Sequence, residues 1–273
     1  MKFAAGITLY NPTPLQLEHI KEYGKSFDYV FLFDNSEPEY KQIKNDFGDN
    51  FIVLSKGYNV GLPSAFNEII KNEKCQEIDF LCTLDQDSVF SELEIQKLKD
   101  FLFQNNKKNI GIIGPYINYG FGKHHYHNIV EERSWVITSG SFVNLNILRK
   151  NALKYDNKYF IDKFEIDLCQ QMTTRGIEVL MYHGSVLYQN LGERNGHRHP
   201  NHSALRHYYL FRNRFYFNRK WFTNIKCIVL DVLQTLKHIG LILLFEDEKM
   251  YKIQFLKKAI KDYKKGNMGK YED

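Results

Sequence analysis

Five stretches of this chain are apolar at nearly every position. Polar residues follow three of them at once. Phe3–Tyr10 ends at Asn11-Pro12, Tyr29–Phe33 runs into Asp34-Asn35-Ser36, and Phe80–Leu84 runs into Asp85-Gln86-Asp87; Phe51–Leu54 and Ile110–Ile113 complete the set. The intervening segments carry helix signals. Thr13-Pro14-Leu15-Gln16 reads as a capping box with Pro at the first helical position. Ser64–Asn72 reads as a helix, and Ser91-Glu92-Leu93-Glu94 caps another. Strands that are apolar throughout and alternate with helices must be covered on both faces. The expected fold is therefore α/β with a mostly parallel central sheet. Such sheets bind ligands beyond the carboxyl ends of their strands, which makes the polar residues after each strand the ones to examine. No GxGxxG or Walker sequence follows any of these strands, which argues against a dehydrogenase or an ATPase.

Composition adds limits. With 273 residues, 43% hydrophobic and 25% charged, the chain suits one large domain with or without an appendage. Its four Cys are far apart and form no CxxC pair. That spacing argues against a zinc knuckle or a disulfide framework and suits a reducing cytoplasm. The opening Met1-Lys2 and its short apolar run read as a first strand, not as a secretion signal. No unbroken apolar stretch reaches the roughly 18 residues of a membrane span.

The second half is less regular. Glu131–Val143 is expected to hold a strand ending at Ser139-Gly140-Ser141, and Ile161–Arg175 to form a helix with Ile161, Phe164, Leu168 and Met172 on one side. From Arg194 to Lys220 there are seven Arg or Lys, four His and no acid. The stretch matches no RNA- or DNA-binding module, so nucleic acid is not the expected partner. Within Asn224–Phe245, Ile228, Val232, Ile239 and Leu243 share one face, while Asp231, Gln234, Thr235 and His238 share another. A Lys-rich amphipathic segment follows. The expected division is a catalytic domain over residues 1–220 and a helical appendage over 221–273.

Asp85-Gln86-Asp87 is the sharpest chemical signal. Carboxylates two residues apart at a strand end can point the same way, and such a pair can hold Mg²⁺ or Mn²⁺ together with substrate phosphates. A metal there would neutralise a departing nucleoside diphosphate.

Ile7-Thr8-Leu9-Tyr10-Asn11, Asp34-Asn35-Ser36, Asn59-Val60-Gly61-Leu62 with Ala65-Phe66-Asn67, and Asp85-Gln86-Asp87-Ser88 resemble, in order and spacing, family 2 glycosyltransferases of the GT-A fold. The DQDS form, Tyr159-Phe160-Ile161-Asp162, and His207-Tyr208-Tyr209 with Arg212-Asn213 look most like bacterial rhamnosyltransferases. The resemblance implies an inverting, metal-dependent transferase. Its donor would be a dTDP- or UDP-sugar, dTDP-L-rhamnose first among them, and its acceptor a glycan or lipid-linked glycan of a bacterial surface polysaccharide.

It also implies roles. Thr8, Tyr10 and Asn11 would surround the base and ribose, and Asp34 would accept the N3–H of uracil or thymine. Asn59 and Gly61 would shape a loop over the nucleotide, with Asn67 supporting it and Gln86 beside the nucleotide. Asp85 and Asp87 would hold the metal. Glu165 would be the base that deprotonates the acceptor hydroxyl, with Asp162 and Asp167 as alternatives on the same acidic segment. Ser139-Gly140-Ser141 and Trp135 would line the sugar and acceptor side. The basic Arg194–Lys220 stretch, read on its own, suits pairing with diphosphate and an anionic acceptor, with Arg206, Arg212 and Arg214 as the candidates. Gln189 stands where the family often shows a metal-binding His, with His183, His197, His199 and His202 as substitutes.

Transfer of galactofuranose or glucose, a sugar-phosphate nucleotidyltransferase and a membrane-docked scaffold without activity remain as alternatives. The nucleotidyltransferase would need a glycine-rich basic segment after the first strand, and this chain has none there. The C-terminal helices are expected either to lie on an anionic membrane at the inner face of the cell membrane or to pack on the catalytic domain or a second subunit.

Overall fold

The computed structural model describes residues 1–40, 43, 47–106, 109–119, 129–188 and 201–272. It begins with the expected alternation: β1 (Phe3–Leu9), α1 (Pro14–Gly24), β2 (Tyr29–Asp34), β3 (Phe51–Ser55), α2 (Leu62–Lys71), β4 (Phe80–Asp85), α3 (Glu92–Gln104) and β5 (Ile110–Asn118). Every residue of β1 is buried, as a strand covered on both faces requires. Thr13 forms the anticipated capping box with Gln16. The helix expected at Ser64 begins at Leu62 instead, because Gly61, at φ 81°, turns the chain and Pro63 fixes the first turn.

Beyond β5 come β6 (Val130–Glu132), β7 (Ser141–Asn144), α4 (Leu145–Lys150), α5 (Phe164–Thr173), β8 (Glu178–Tyr188), α6 (Ala204–Trp221), α7 (Asn224–Phe245) and α8 (Lys249–Lys265). The eight strands make one sheet in the order β3-β2-β1-β4-β7-β5-β8-β6. β1 pairs in parallel with β2 and β4, β2 with β3, and β5 with β8. β7 is antiparallel to both β4 and β5, and β6 is antiparallel to β8. Two expectations are corrected here. Ser139-Gly140-Ser141 does not end a strand but begins one: Gly140 takes φ 77° with Pro115 Cγ 3.1 Å from where a Cβ would sit, and Ser141 opens β7. The helix expected from Ile161 starts only at Phe164, because Phe160, Asp162 and Lys163 have φ of 63°, 56° and 71°. Asp162 and Glu165 are therefore not neighbours on one helix.

Two compact units divide the chain. One comprises Met1–Asp156 with Glu165–Asn190, and the other Asn157–Phe164 with Leu191–Asp273. The core of the first is formed by residues such as Ile7, Leu32, Phe80, Leu84, Leu98 and Phe142.

In the second unit, Tyr208, Tyr209 and Phe211 of α6 pack with Ile242 of α7 and with Leu256 and Ala259 of α8. A buried polar chain runs beside them. Arg214 approaches His238 Nδ1 at 3.4 Å, His238 Nε2 lies 2.7 Å from His207 Nδ1, and His207 Nε2 lies 2.7 Å from Glu246 Oε2. Lys252 Nζ donates to the same Glu246 oxygen at 2.8 Å.

Burial first, and then His207 and Arg214, depress the His238 pKa from its ordinary 6.5 to about 4. Unfolded His238 takes up a proton near pH 6.5, whereas folded His238 resists until about pH 4. Its contribution to stability is therefore complete above pH 6.5 and lost as pH falls through that window. Thermal unfolding followed by circular dichroism from neutral to acid pH should show a smaller loss of Tm over this window for His238→Gln than for the wild type.

Candidate functional site

Parallel register brings three strand ends of the first unit together. Thr8 lies opposite Asp85 across the β1–β4 pair, and Leu9 lies opposite Asp34 across the β1–β2 pair. Past these ends the chain is tied by local bonds. Asn35 N donates to Leu9 O at 2.8 Å, Ser36 N donates to Asp34 Oδ1 at 3.0 Å, and Asn11 N donates to Ser36 Oγ at 2.9 Å, with Asn11 itself at φ 47°. Thr8, Asp34, Asn35 and Ser36 are buried. Asp34 Oδ1 is thus occupied by its own turn, while among the described residues no group bonds Oδ2. The Tyr10 ring is exposed beside this rim.

Gln86 works as an extra rung of the sheet. Its side-chain oxygen accepts from Tyr10 N at 2.7 Å, and its Nε2 donates to Tyr10 O at 3.2 Å. Both polar ends of the amide therefore go to the main chain of Tyr10, and the β1–β4 pairing continues one step past the strands.

Asp85 is half-buried and Asp87 is exposed. Ser139, in the turn before β7, holds the first of them: its Oγ donates to Asp85 Oδ2 at 2.8 Å and lies 2.7 Å from Ser88 Oγ. Asp85 N in turn donates to Ser88 Oγ at 3.1 Å. Ser139 is expected from the sequence at a strand end and on the sugar and acceptor side; its grip on Asp85 spans 54 positions and has no local signal. Ser141, expected on the sugar side, is fully buried and donates to Ile137 O. Gly140 is likewise buried, and its N donates to Thr83 O at 2.8 Å. Trp135 is exposed on the segment leading to this turn.

The loop before α2 is fixed from two sides. Asn59 Oδ1 accepts from Gly61 N at 2.9 Å, and Asn35 Oδ1 accepts from Val60 N at 2.9 Å. Asn35 thus joins this loop to the strand rim, a role that its place beside Asp34 does not announce. Asn67 is buried and bonds Tyr155 through both ends of its amide, donating to Tyr155 O at 2.8 Å and accepting from Tyr155 N at 3.2 Å.

The three candidate bases differ in setting. Glu165 is half-buried in the first turn of α5. Asp167 is fully buried and accepts from Gln171 Nε2 at 2.8 Å. Asp162 belongs to the second unit, where Arg206 donates to its Oδ1 at 3.1 Å. Its Oδ2 is buried with no hydrogen-bond partner among the described residues. Burial raises the Asp162 carboxyl above the usual range, and Arg206 and Lys163 offset part of that shift.

Asn213 shapes this segment. Its Nδ2 lies 2.9 Å from Tyr159 O, 2.6 Å from Ile161 O and 3.2 Å from Asp162 O. Arg212 corrects an expectation: it is buried, stacks on Tyr208 and Tyr209, and donates to Tyr208 Oη, Asn267 O and Gly269 O. It is a structural residue of the second unit, as is Arg214, which is buried and donates to Gln234 O and Thr235 Oγ1.

Among the described residues no group of three or more His, Cys, Asp and Glu is assembled for a metal. Gln189, His197 and His199 lie outside the described residues. His183 pairs with Glu131 at 3.2 Å, and His202 packs edge-on to His207.

The chain is similar to several known proteins. The model of glycosyl transferase family 2 matches residues 16–171. The dTDP-rhamnosyl transferase RfbF of Shigella flexneri is 25% identical over 280 residues, covering 94% of this chain and 92% of that protein. Among solved structures, S. aureus TarS residues 1–349 in complex with UDP-GlcNAc matches 95% of this chain and 72% of its own with a TM-score of 0.52 at 13% identity. GalNAc-T7 with UDP, GalNAc and Mn²⁺ matches 70% of this chain and 44% of its own with a TM-score of 0.54 at 10% identity. At these identities the structures speak to the fold, which is of GT-A type. The family model covers more than half of the sequence and includes the β2 end, the β4 end and Glu165, so the chain belongs to glycosyl transferase family 2.

Proposed function

We propose that this glycosyltransferase moves L-rhamnose from dTDP-L-rhamnose, with inversion, to a hydroxyl of a growing bacterial surface polysaccharide. The acceptor would be carried on lipid at the cytoplasmic face of the membrane. The observation that carries the donor assignment is the likeness to a dTDP-rhamnosyl transferase, which runs through nearly the whole of both chains. The rim geometry is compatible with it. Thr8, Asp34 and the exposed Tyr10 ring form a place for a pyrimidine. Asp34 Oδ2 is the acceptor for an N3–H, a group that uracil and thymine share.

Asp85 and Asp87 offer a hard-oxygen set. Two carboxylates at one strand end, one held by Ser139, suit a cation that takes its remaining ligands from diphosphate oxygens and water. Mg²⁺ or Mn²⁺ held there would neutralise the charge that builds on the leaving diphosphate. Ser139 and Ser88 keep Asp85 oriented, Gln86 keeps Tyr10 beside it, and Asn35 with Asn59 holds the loop before α2 over the rim. Of the two carboxylates in α5, Glu165 is the base in this reading. It is half-buried, whereas Asp167 is fully buried and bonded to Gln171. Glu165 would accept the proton of the acceptor hydroxyl as oxygen attacks the anomeric carbon.

Calorimetry with the four nucleoside diphosphates tests the base reading: dTDP and UDP should bind and GDP and ADP should not, and tight GDP binding would contradict it. Hydrolysis or transfer assays over a panel of nucleotide-sugars should give the highest rate with dTDP-L-rhamnose; a faster UDP-galactofuranose or UDP-glucose reaction would reassign the donor. Glu165→Gln should lower turnover by about 10²- to 10⁴-fold while donor binding persists. Asp162→Asn or Asp167→Asn being inactive, with Glu165→Gln active, would move the base. Asp87→Ala should cost about 10²-fold or more in turnover without unfolding the chain, and EDTA should silence the wild type; normal turnover in both experiments would remove the metal from the mechanism.

A further inference from the structure

α7 is built inside out. Its polar residues Asp231, Gln234, Thr235 and His238 recur at helical spacing and face α6. Asn218 Nδ2 donates to Asp231 Oδ1 at 2.7 Å and to Gln234 Oε1 at 3.1 Å. Arg214 donates to Thr235 Oγ1 at 3.0 Å and to Gln234 O at 3.2 Å. His238 joins His207 in the buried chain described above. An amphipathic helix ordinarily turns its apolar stripe to the core. Here Ile225, Val229, Val232, Leu236 and Leu243, also at helical spacing, are 80%, 51%, 53%, 64% and 44% exposed. With Leu244 at 72%, the apolar stripe runs the length of the 22-residue helix, about 33 Å at 1.5 Å per residue. A continuous apolar face of this length left to water is a mark of an interaction surface.

The charge of the neighbouring helices selects the occupant. Residues 201–272 hold fifteen Lys or Arg against six Asp or Glu, whereas the whole chain has a net charge of only +5. Lys237 on α7 and Lys257, Lys258, Lys261, Lys264 and Lys265 on α8 are exposed. Joining two copies through α7 would bring these like charges together, whereas an anionic lipid surface takes up both the apolar stripe and the cations. We propose that α7 lies in the headgroup plane of an anionic bilayer with its apolar stripe in the lipid and its polar stripe still on α6, and that the α8 lysines pair with lipid phosphates.

The helix is also long and apolar enough, by length and composition, to cross a membrane. Crossing would take Asp231, Lys237 and the bonded stripe into hydrocarbon. The hydrogen bonds to α6 therefore favour the in-plane position. The proposal stands on α7 and α8 alone and holds whichever sugar is transferred.

Flotation of the full chain tests it, with phosphatidylcholine vesicles and with phosphatidylcholine–phosphatidylglycerol vesicles, and with circular dichroism as the control of fold. The chain should float with the anionic vesicles and be released as NaCl is raised. The double variant Val232→Asp with Leu236→Asp changes only exposed positions; it should keep its helix content and bind at least about tenfold more weakly. Replacing Lys257, Lys258, Lys261 and Lys264 by Gln should weaken binding to the anionic vesicles at low salt. Three results would overturn the proposal. One is failure to float with either vesicle. Another is a dimer in light scattering that the double variant dissociates while flotation is unchanged, which would make a second copy the occupant. The third is retention in cell membranes through alkaline carbonate extraction, which would make α7 a span.

Discussion

The pairing of β1 with both β2 and β4 is the constraint on which the candidate site depends. Parallel strands in register end together, so three separate stretches of sequence deliver Thr8, Asp34 and Asp85 to one rim without any side chain having to search for another. The rim is then stiffened by main-chain bonding more than by salt bridges. Gln86 continues the ladder to Tyr10, Ser36 and Asn35 close the β2 end, and Ser139 reaches in from the turn before β7. Catalysis by such a site relies on oxygen atoms held where charge will appear, and fixed hydrogen bonds of this kind provide that positioning before substrate arrives.

What could be read from sequence follows from how local the cause is. The strands of the first half were legible because burial on both faces demands unbroken apolar runs such as Tyr29–Phe33. The rim residues were legible because they directly follow those runs. The antiparallel insertion of β7 was not, since a four-residue strand between two longer ones leaves no periodic trace. Nor was the role of Ser139 or of Asn35, whose partners lie 54 and 25 positions away. Arg212 misled for a related reason. A basic residue in a basic stretch looks like a ligand for anions, but its guanidinium is enclosed by tyrosines and main-chain carbonyls. For α7, periodicity told which residues share a face but could not tell which face turns inward, because the answer lies in the polar residues of α6.

Asn213 shows how a short motif can serve geometry rather than chemistry. The segment around Asp162 has three residues with positive φ, none of them glycine, and each costs on the order of 1 kcal/mol or more. The side-chain amide of Asn213, set against the carbonyls of Tyr159, Ile161 and Asp162, offsets part of that cost and holds the backbone from which the Asp162 carboxylate leaves the chain. The Arg206–Asp162 pair is then formed by a backbone already held in place.

The strand order β5-β8-β6 has a consequence for how the chain is made. β6 has β8 as its strand partner, and β8 is synthesised some fifty residues later. On the ribosome, β5 and β6 must therefore wait with open hydrogen-bonding edges while α4 and α5 emerge, and only the arrival of Glu178–Tyr188 zips the two together. A nascent chain stalled before that strand would expose the apolar, unpaired edge of β5 to its neighbours. The interval of chain length over which that edge is open ends when the last strand of the sheet slides between two that are already there.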